Sequence, residues 1–97
     1  MFEIEYTASA LMDISIFRKH EQTTIFDRVD EQLMHQPDVE TRNRKKLRPN
    51  ETAEWELPVD RYRVLYDVDP NEQKVKVRLV GLKQGSTLLV RGKEYRL

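Results

Sequence analysis

The chain has 97 residues, with 17 basic and 17 acidic side chains, two histidines and no cysteine. That length sets one domain over residues 1–97 with one modest core, and the missing cysteines exclude disulfides and thiolate metal sites. Balanced charge argues against holding nucleic acid by bulk attraction but leaves room for a locally basic surface.

Phe2-Glu3-Ile4-Glu5-Tyr6 alternates apolar and acidic residues and predicts an N-terminal strand. Thr7 suits the N-cap of a helix starting at Ala8, with Ala10, Leu11, Ile14 and Phe17 on its inner face. The polar run Arg18–Gln22 is expected to break that helix. A second helix is expected from about Thr23 to Gln36, with Ile25, Phe26, Val29 and Leu33 inward. Pro37 ends it, because the residue before a proline leaves the α region.

Pro37 to Thr52 reads as a polar connection carrying Arg42-Asn43-Arg44-Lys45-Lys46-Leu47-Arg48, five cations in seven residues. Three strands follow, Glu54–Val59, Arg61–Asp69 and Lys74–Gly81, with Pro70-Asn71 turning between the last two. Trp55, Leu57, Val59, Tyr62, Val64, Tyr66, Val68, Val75, Val77 and Leu79 occupy alternate positions. Side chains alternate faces with period two, so these belong to a core. Arg61, Arg63, Lys74, Lys76 and Arg78 fall between them. After Gly85-Ser86 come a fifth short strand at Leu88-Leu89-Val90 and a ragged tail ending in Tyr95-Arg96-Leu97. The expected class is α+β, in the order β-α-α-β-β-β(-β): a mainly antiparallel sheet with a helical hairpin on one face. Two helices cover only one face, which leaves the other for a partner or substrate.

That open face should carry the chemistry. Arg44, Lys45, Lys46, Arg48, Arg61 and Arg78 are the expected phosphate contacts, since guanidinium groups bind phosphate bidentately and ammonium groups act as point charges. Glu54 and Glu56 are expected to pair with Arg61, Arg63 and their neighbours across the strands. A second role for Glu56 is that of a general base. Trp55, Tyr62 and Tyr66 are assigned to the core by their alternation. His20 and His35 sit on polar stretches at helix ends, where capping or exposure is expected. No metal-ligand spacing appears, no cofactor motif is present, and the lack of a signal pattern or long apolar run suggests a cytoplasmic protein with no membrane segment.

Pro37, Lys46-Leu47-Arg48, Trp55-Glu56-Leu57, Tyr62-Arg63-Val64-Leu65-Tyr66 and Val80-Gly81, in this order and spacing, resemble the RelE/ParE superfamily of type II toxin–antitoxin toxins. The resemblance covers nearly the whole chain. It implies a cognate antitoxin as partner in a hetero-oligomer. It also implies one of two targets: RelE-like members cleave mRNA on the ribosome without a metal, and ParE-like members inhibit DNA gyrase. A member reduced to binding its antitoxin is a third reading. Carried over residue by residue, Arg63 matches the strand arginine of the RelE-like nucleases and Lys83 falls near the basic residue after Val-Gly. Glu56 and Pro58 stand at the lysine positions, the C-terminal aromatic position falls in Leu88-Leu89, and Tyr95 is the aromatic nearest the C-terminus. The expected catalytic set is Arg63, Lys83 and Glu56.

Overall fold

A computed structural model describes residues 1–97. The elements are β1 (Glu3–Tyr6), α1 (Ala8–Ser15), α2 (Lys19–Leu33), β2 (Lys45–Lys46), β3 (Trp55–Val59), β4 (Tyr62–Asp69), β5 (Lys74–Gln84), β6 (Thr87–Val90) and β7 (Lys93–Tyr95). They form a seven-stranded sheet in the order β2-β3-β4-β5-β6-β7, with β1 parallel to β5 and every other pairing antiparallel. The expected α+β class holds. The two additional strands are the brief pairing of Lys45-Lys46 inside the polar connection and the tail residues Lys93–Tyr95.

Both helices pack on one face of the sheet. Ala10 and Ile14 from α1, and Ile25, Val29 and Leu33 from α2, meet Trp55, Leu57, Val59, Tyr62, Val64, Tyr66, Val75, Val77 and Val80. Each fully buried Leu, Ile or Val here contributes about 1.5–3 kcal/mol. Thr7 is the N-cap as expected, its Oγ1 accepting from Ala10 N at 3.0 Å. The break between helices falls earlier than the polar run suggests. Arg18 is already the N-cap of α2, and Glu21 returns a carboxylate to the Arg18 N–H at 3.0 Å. Helix α2 then stops at Leu33, short of Pro37, whose buried carbonyl accepts the Tyr66 hydroxyl at 2.8 Å.

In α1 the expected orientation is partly overturned. Leu11 is 47% exposed, while Asp13, on the same helix, is 1% exposed. The cause lies at the outer edge of β5. Strand β1 covers that edge along Lys74–Val77 and β6 covers it along Leu82–Gln84, leaving a gap between them. Buried backbone groups need partners. Asp13 Oδ2 fills the gap by accepting from Val80 N at 3.1 Å, so α1 rotates its carboxylate inward.

Leu79 also departs from expectation, pointing away from the helices. Val77 pairs with Tyr66 and Leu79 with Leu65, so Arg78 is an extra residue in β5. One inserted residue reverses the facing of everything after it. Val75 and Val77 face the helices; beyond the bulge Val80 does so and Leu79 does not. Leu79 joins Ala53 and Leu65 in a second small core, flanked by Leu47, Leu88, Val90 and Tyr95. The far face of the sheet is therefore covered in part by the β6–β7 hairpin.

Gly81 lets that hairpin close. It pairs with Arg63, and a Cβ on it would lie 2.7 Å from Leu88 Cδ1 and 3.0 Å from the Leu89 carbonyl oxygen. The two-residue turn Arg91-Gly92, with φ of 50° and 78°, then returns the chain as β7. Positive φ at both central residues matches the twist of a tight hairpin.

Candidate functional site

The hairpin encloses a cleft of about 330 Å³ on the face away from the helices, lined by Glu56, Arg63, Lys83, Ser86, Leu88, Tyr95, Arg96 and Leu97. Arg63, Lys83 and Glu56 come from three adjacent strands and meet here. On β4, Arg63 alternates with the core residues Tyr62 and Val64 and so faces the cleft. Beyond the bulge, Lys83 on β5 faces the same way. On β3, Glu56 lies between buried Trp55 and Leu57.

The Arg63 guanidinium is anchored at one nitrogen. Its Nη1 donates to the Tyr62 carbonyl at 2.8 Å and the Asp60 carbonyl at 3.0 Å. A guanidinium carries five N–H donors, so Nε and Nη2 remain for a ligand. Neither Arg63, Lys83 nor Glu56 is in an ion pair: the six in the chain are Arg28–Asp60, Arg61–Glu21, Lys74–Glu5, Arg78–Asp67, Arg91–Asp13 and Arg96–Glu94. The expected pairing of Glu54 and Glu56 with Arg61 and Arg63 does not form. Glu54 offers only its N–H, to Asp67 Oδ1 at 2.8 Å, and Glu56 faces Leu65 across one strand and Lys45 across the other.

Tyr95 completes the cleft. Its hydroxyl bonds to Thr52 Oγ1, which fixes the ring between β7 and the loop before β3. The sequence offered one signal for its position, Gly92 two residues after Val90, which permits a hairpin return instead of a ragged tail. Ser86 and Arg96 line the cleft without having been expected there.

The basic run and the remaining cations are dispersed. Arg44 is only 9% exposed; its Nε donates to the Val39 carbonyl at 2.8 Å and its Nη1 to the Gln32 carbonyl at 3.1 Å. It tethers the connection to the end of α2 and is withdrawn from any phosphate. Lys45 is exposed beside Glu56, and Lys46 lies over the Trp55 ring at 5.8 Å. Arg48 is exposed in the loop, outside the cleft lining. Arg61 turns to the helix side, 3.6 Å from Glu21 and over the Tyr62 ring. There the Tyr62 hydroxyl and the Arg18 backbone hold the Glu21 carboxyl below its ordinary value. Arg78 pairs with Asp67 at 2.9 Å and lines a separate, larger cleft of about 770 Å³ with Asp13, Arg91 and Tyr95. His20 and His35 are exposed. No group of three or more His, Asp or Glu side chains is placed to hold a metal ion, and no helix is long and apolar enough to cross a membrane.

Asp13 supports the cleft from behind. Its Oδ1 lies 2.9 Å from Arg91 Nε, a charge contact whose N–H alignment falls short of a directed hydrogen bond. Burial pushes its carboxyl above the ordinary carboxylate range, against the opposing pull of the Val80 N–H and Arg91. The pair ties α1 to the β6–β7 turn that carries Tyr95.

This arrangement, a helical pair on one face of a sheet whose last strands curl over the other, superposes on chains of solved toxin–antitoxin complexes. A chain of the RelBE2 toxin–antitoxin complex of Mycobacterium tuberculosis superposes with a TM-score of 0.72 at 20% identity, over 84% of this chain and 98% of that one. The RelE–RelB complex of Pyrococcus horikoshii OT3 gives 0.68 at 15% identity, over 87% and 96%. The YoeB–YefM toxin–antitoxin complex of Staphylococcus aureus gives 0.59 at 18% identity, over 80% and 92%. No protein-family model and no curated protein sequence matches the chain.

Proposed function

We propose that this chain is the toxin of a type II toxin–antitoxin system and that it inhibits translation by cleaving ribosome-bound mRNA in the Glu56–Arg63–Lys83 cleft. One observation carries the reading. Three side chains of complementary chemistry, on three adjacent strands and free of ion pairs, line one cleft on a fold shared with toxin–antitoxin complexes.

The chemistry follows from what each group can do. The RNA 2′-hydroxyl attacks the adjacent phosphorus, Glu56 takes its proton, and a bond to the 5′-oxygen breaks to leave a 2′,3′-cyclic phosphate. The leaving 5′-oxygen takes a proton from the Tyr95 hydroxyl. Arg63, through its free Nε and Nη2, and Lys83 stabilise the charge that builds on the non-bridging oxygens. Lys45 adds positive potential beside Glu56. The antitoxin is the regulatory partner, and the setting is the cytoplasm where ribosomes work.

A gyrase-directed toxin is the second reading, favoured by Pro58 and Glu56 at positions where RelE-like nucleases carry lysines. Incubation of the purified protein with translating ribosomes, with transcript ends mapped by primer extension, separates the two. New ends inside translated codons support the nuclease. Intact transcripts together with blocked gyrase supercoiling reject it.

A further inference from the structure

Tyr95 is a wall shared by two clefts. It lines the Glu56–Arg63–Lys83 cleft and also the larger cleft beside Asp13 and Arg91. Its strand, β7, is the last of the sheet and only three residues long, so pairing with Leu88 is a slender hold on a group that must meet a reacting oxygen. The body of the protein supplies the rest. Tyr95 packs against the small core of Ala53, Leu65 and Leu79, and its hydroxyl bonds to Thr52 Oγ1.

Thr52 is itself held by a braced loop. Asn50 Oδ1 accepts from the Thr52 N–H at 2.7 Å and from the Ala53 N–H at 3.0 Å. The Asn50 Nδ2 group donates to the Arg48 carbonyl at 2.7 Å and the Ala53 carbonyl at 2.9 Å. One side-chain amide thus closes the turn with both its donor and its acceptor ends. Thr52 lines the larger cleft and is absent from the lining of the Arg63 cleft. It reaches the reacting groups only through the Tyr95 oxygen.

Two hydroxyls that face each other hold two hydrogens, and only one lies in the bond between them. With Thr52 as donor, the phenolic hydrogen of Tyr95 is left for the Arg63 cleft. With Tyr95 as donor, that hydrogen is spent inside the pair. Loss of the phenolic proton also decides between the two, because a donor to a charged oxygen is about twice as strong as a donor to a neutral one.

We propose that Thr52 is a positioning residue for RNA cleavage, its hydroxyl donating to the Tyr95 oxygen so that the Tyr95 proton is directed at the leaving group. This rests on the nuclease reading. In the step, the Tyr95 O–H bond breaks as its proton passes to the departing 5′-oxygen. The electron pair stays on Tyr95 as a phenolate held by the Thr52 O–H, and water returns a proton once the product has left.

The test is single-turnover cleavage of ribosome-bound mRNA by the full chain. Thr52→Val keeps nearly the same shape and removes the hydroxyl. It should slow cleavage by about ten- to a hundredfold, the scale of one hydrogen bond to a charged group. Thr52→Ser keeps the hydroxyl and should restore most of the rate. An mRNA with sulfur in place of the scissile 5′-oxygen separates positioning from folding, because a thiol is far more acidic than an alcohol and departs without a proton. The sulfur-to-oxygen rate ratio, taken within each variant so that any loss of folded protein cancels, should rise in both Thr52→Val and Tyr95→Phe. Adding Thr52→Val to Tyr95→Phe should cost nothing further. A Thr52→Val rate equal to the wild type overturns the inference and leaves the nuclease reading standing. So does an equal deficit on the two substrates, or a Thr52→Val effect undiminished in Tyr95→Phe. No cleavage by the wild-type chain overturns both.

Discussion

Replacing Gly81 with Ala tests whether the β6–β7 hairpin really folds over the sheet. The new methyl would lie 2.7 Å from Leu88 Cδ1 and 3.0 Å from the Leu89 carbonyl oxygen. Leu88 can turn its side chain, but the Leu89 oxygen moves only if β6 moves. Overpacking of this kind costs about 1–3 kcal/mol. Removing a glycine stiffens the unfolded chain and returns about 0.4–1 kcal/mol. The net loss is about 1–2 kcal/mol, which for a domain of this length lowers Tm by about 5–15 °C. Thermal melting followed by circular dichroism reads this directly, and hydrogen exchange should show Thr87–Tyr95 loosening before the core. Adding Leu88→Ala to Gly81→Ala should recover part of the loss, as a coupling of about 0.5–1 kcal/mol in the double-mutant cycle. An unchanged or raised Tm for Gly81→Ala would refute the closed hairpin and, with it, the cleft.

Asp13→Ala should destabilise by about 1–3 kcal/mol in chemical denaturation, because it leaves the buried Val80 N–H without its partner. Asp13 also gives a pH signature. Burial raises its folded-state pKa, so the folded protein holds the proton more tightly than the unfolded chain. Its contribution is then fully present below the unfolded carboxylate value and is lost as pH rises through the folded one. Asp13→Asn should flatten the fall in stability over that mildly acidic window, as read from urea midpoints. Arg44→Ala should cost about 1–3 kcal/mol through the carbonyls it leaves unpaired, with cleavage per folded molecule unchanged in a translation assay. Glu56→Gln should slow cleavage by about 10²–10⁴ if the carboxylate is the base, whereas an idle carboxylate predicts almost no change.

Much of the scaffold was readable because strong period-two patterns leave little choice. The alternation through Trp55–Val68, the Thr7 cap and the Gly85-Ser86 turn each sit where expected. In helix α1 and just after it, Ala10, Ile14 and Phe17 face inward as expected, and only the edge of the stripe was not readable: over eight residues, a stripe through Leu11 and one through Asp13 differ by little. The gap in β5 that selects Asp13 arises from pairings between segments far apart in sequence. The bulge at Arg78 has the same character, since a single inserted residue sends Leu79 to the other face with no local mark. Of the cations, Arg63 and Lys83 reach the cleft through strand geometry. Arg44 looked like its neighbours in the basic run, yet it is drawn inward by carbonyls of Gln32 and Val39.

The central claim rests on Arg63 acting at the scissile phosphate. The direct measurement is the rate of mRNA cleavage on translating ribosomes by the wild type and by Arg63→Ala. Loss of one preorganised donor to a developing oxyanion costs about 10²–10³ in rate, and that fall is expected with Tm shifted by no more than a few degrees. Growth arrest that persists in Arg63→Ala, with transcripts intact for both proteins, would contradict the account.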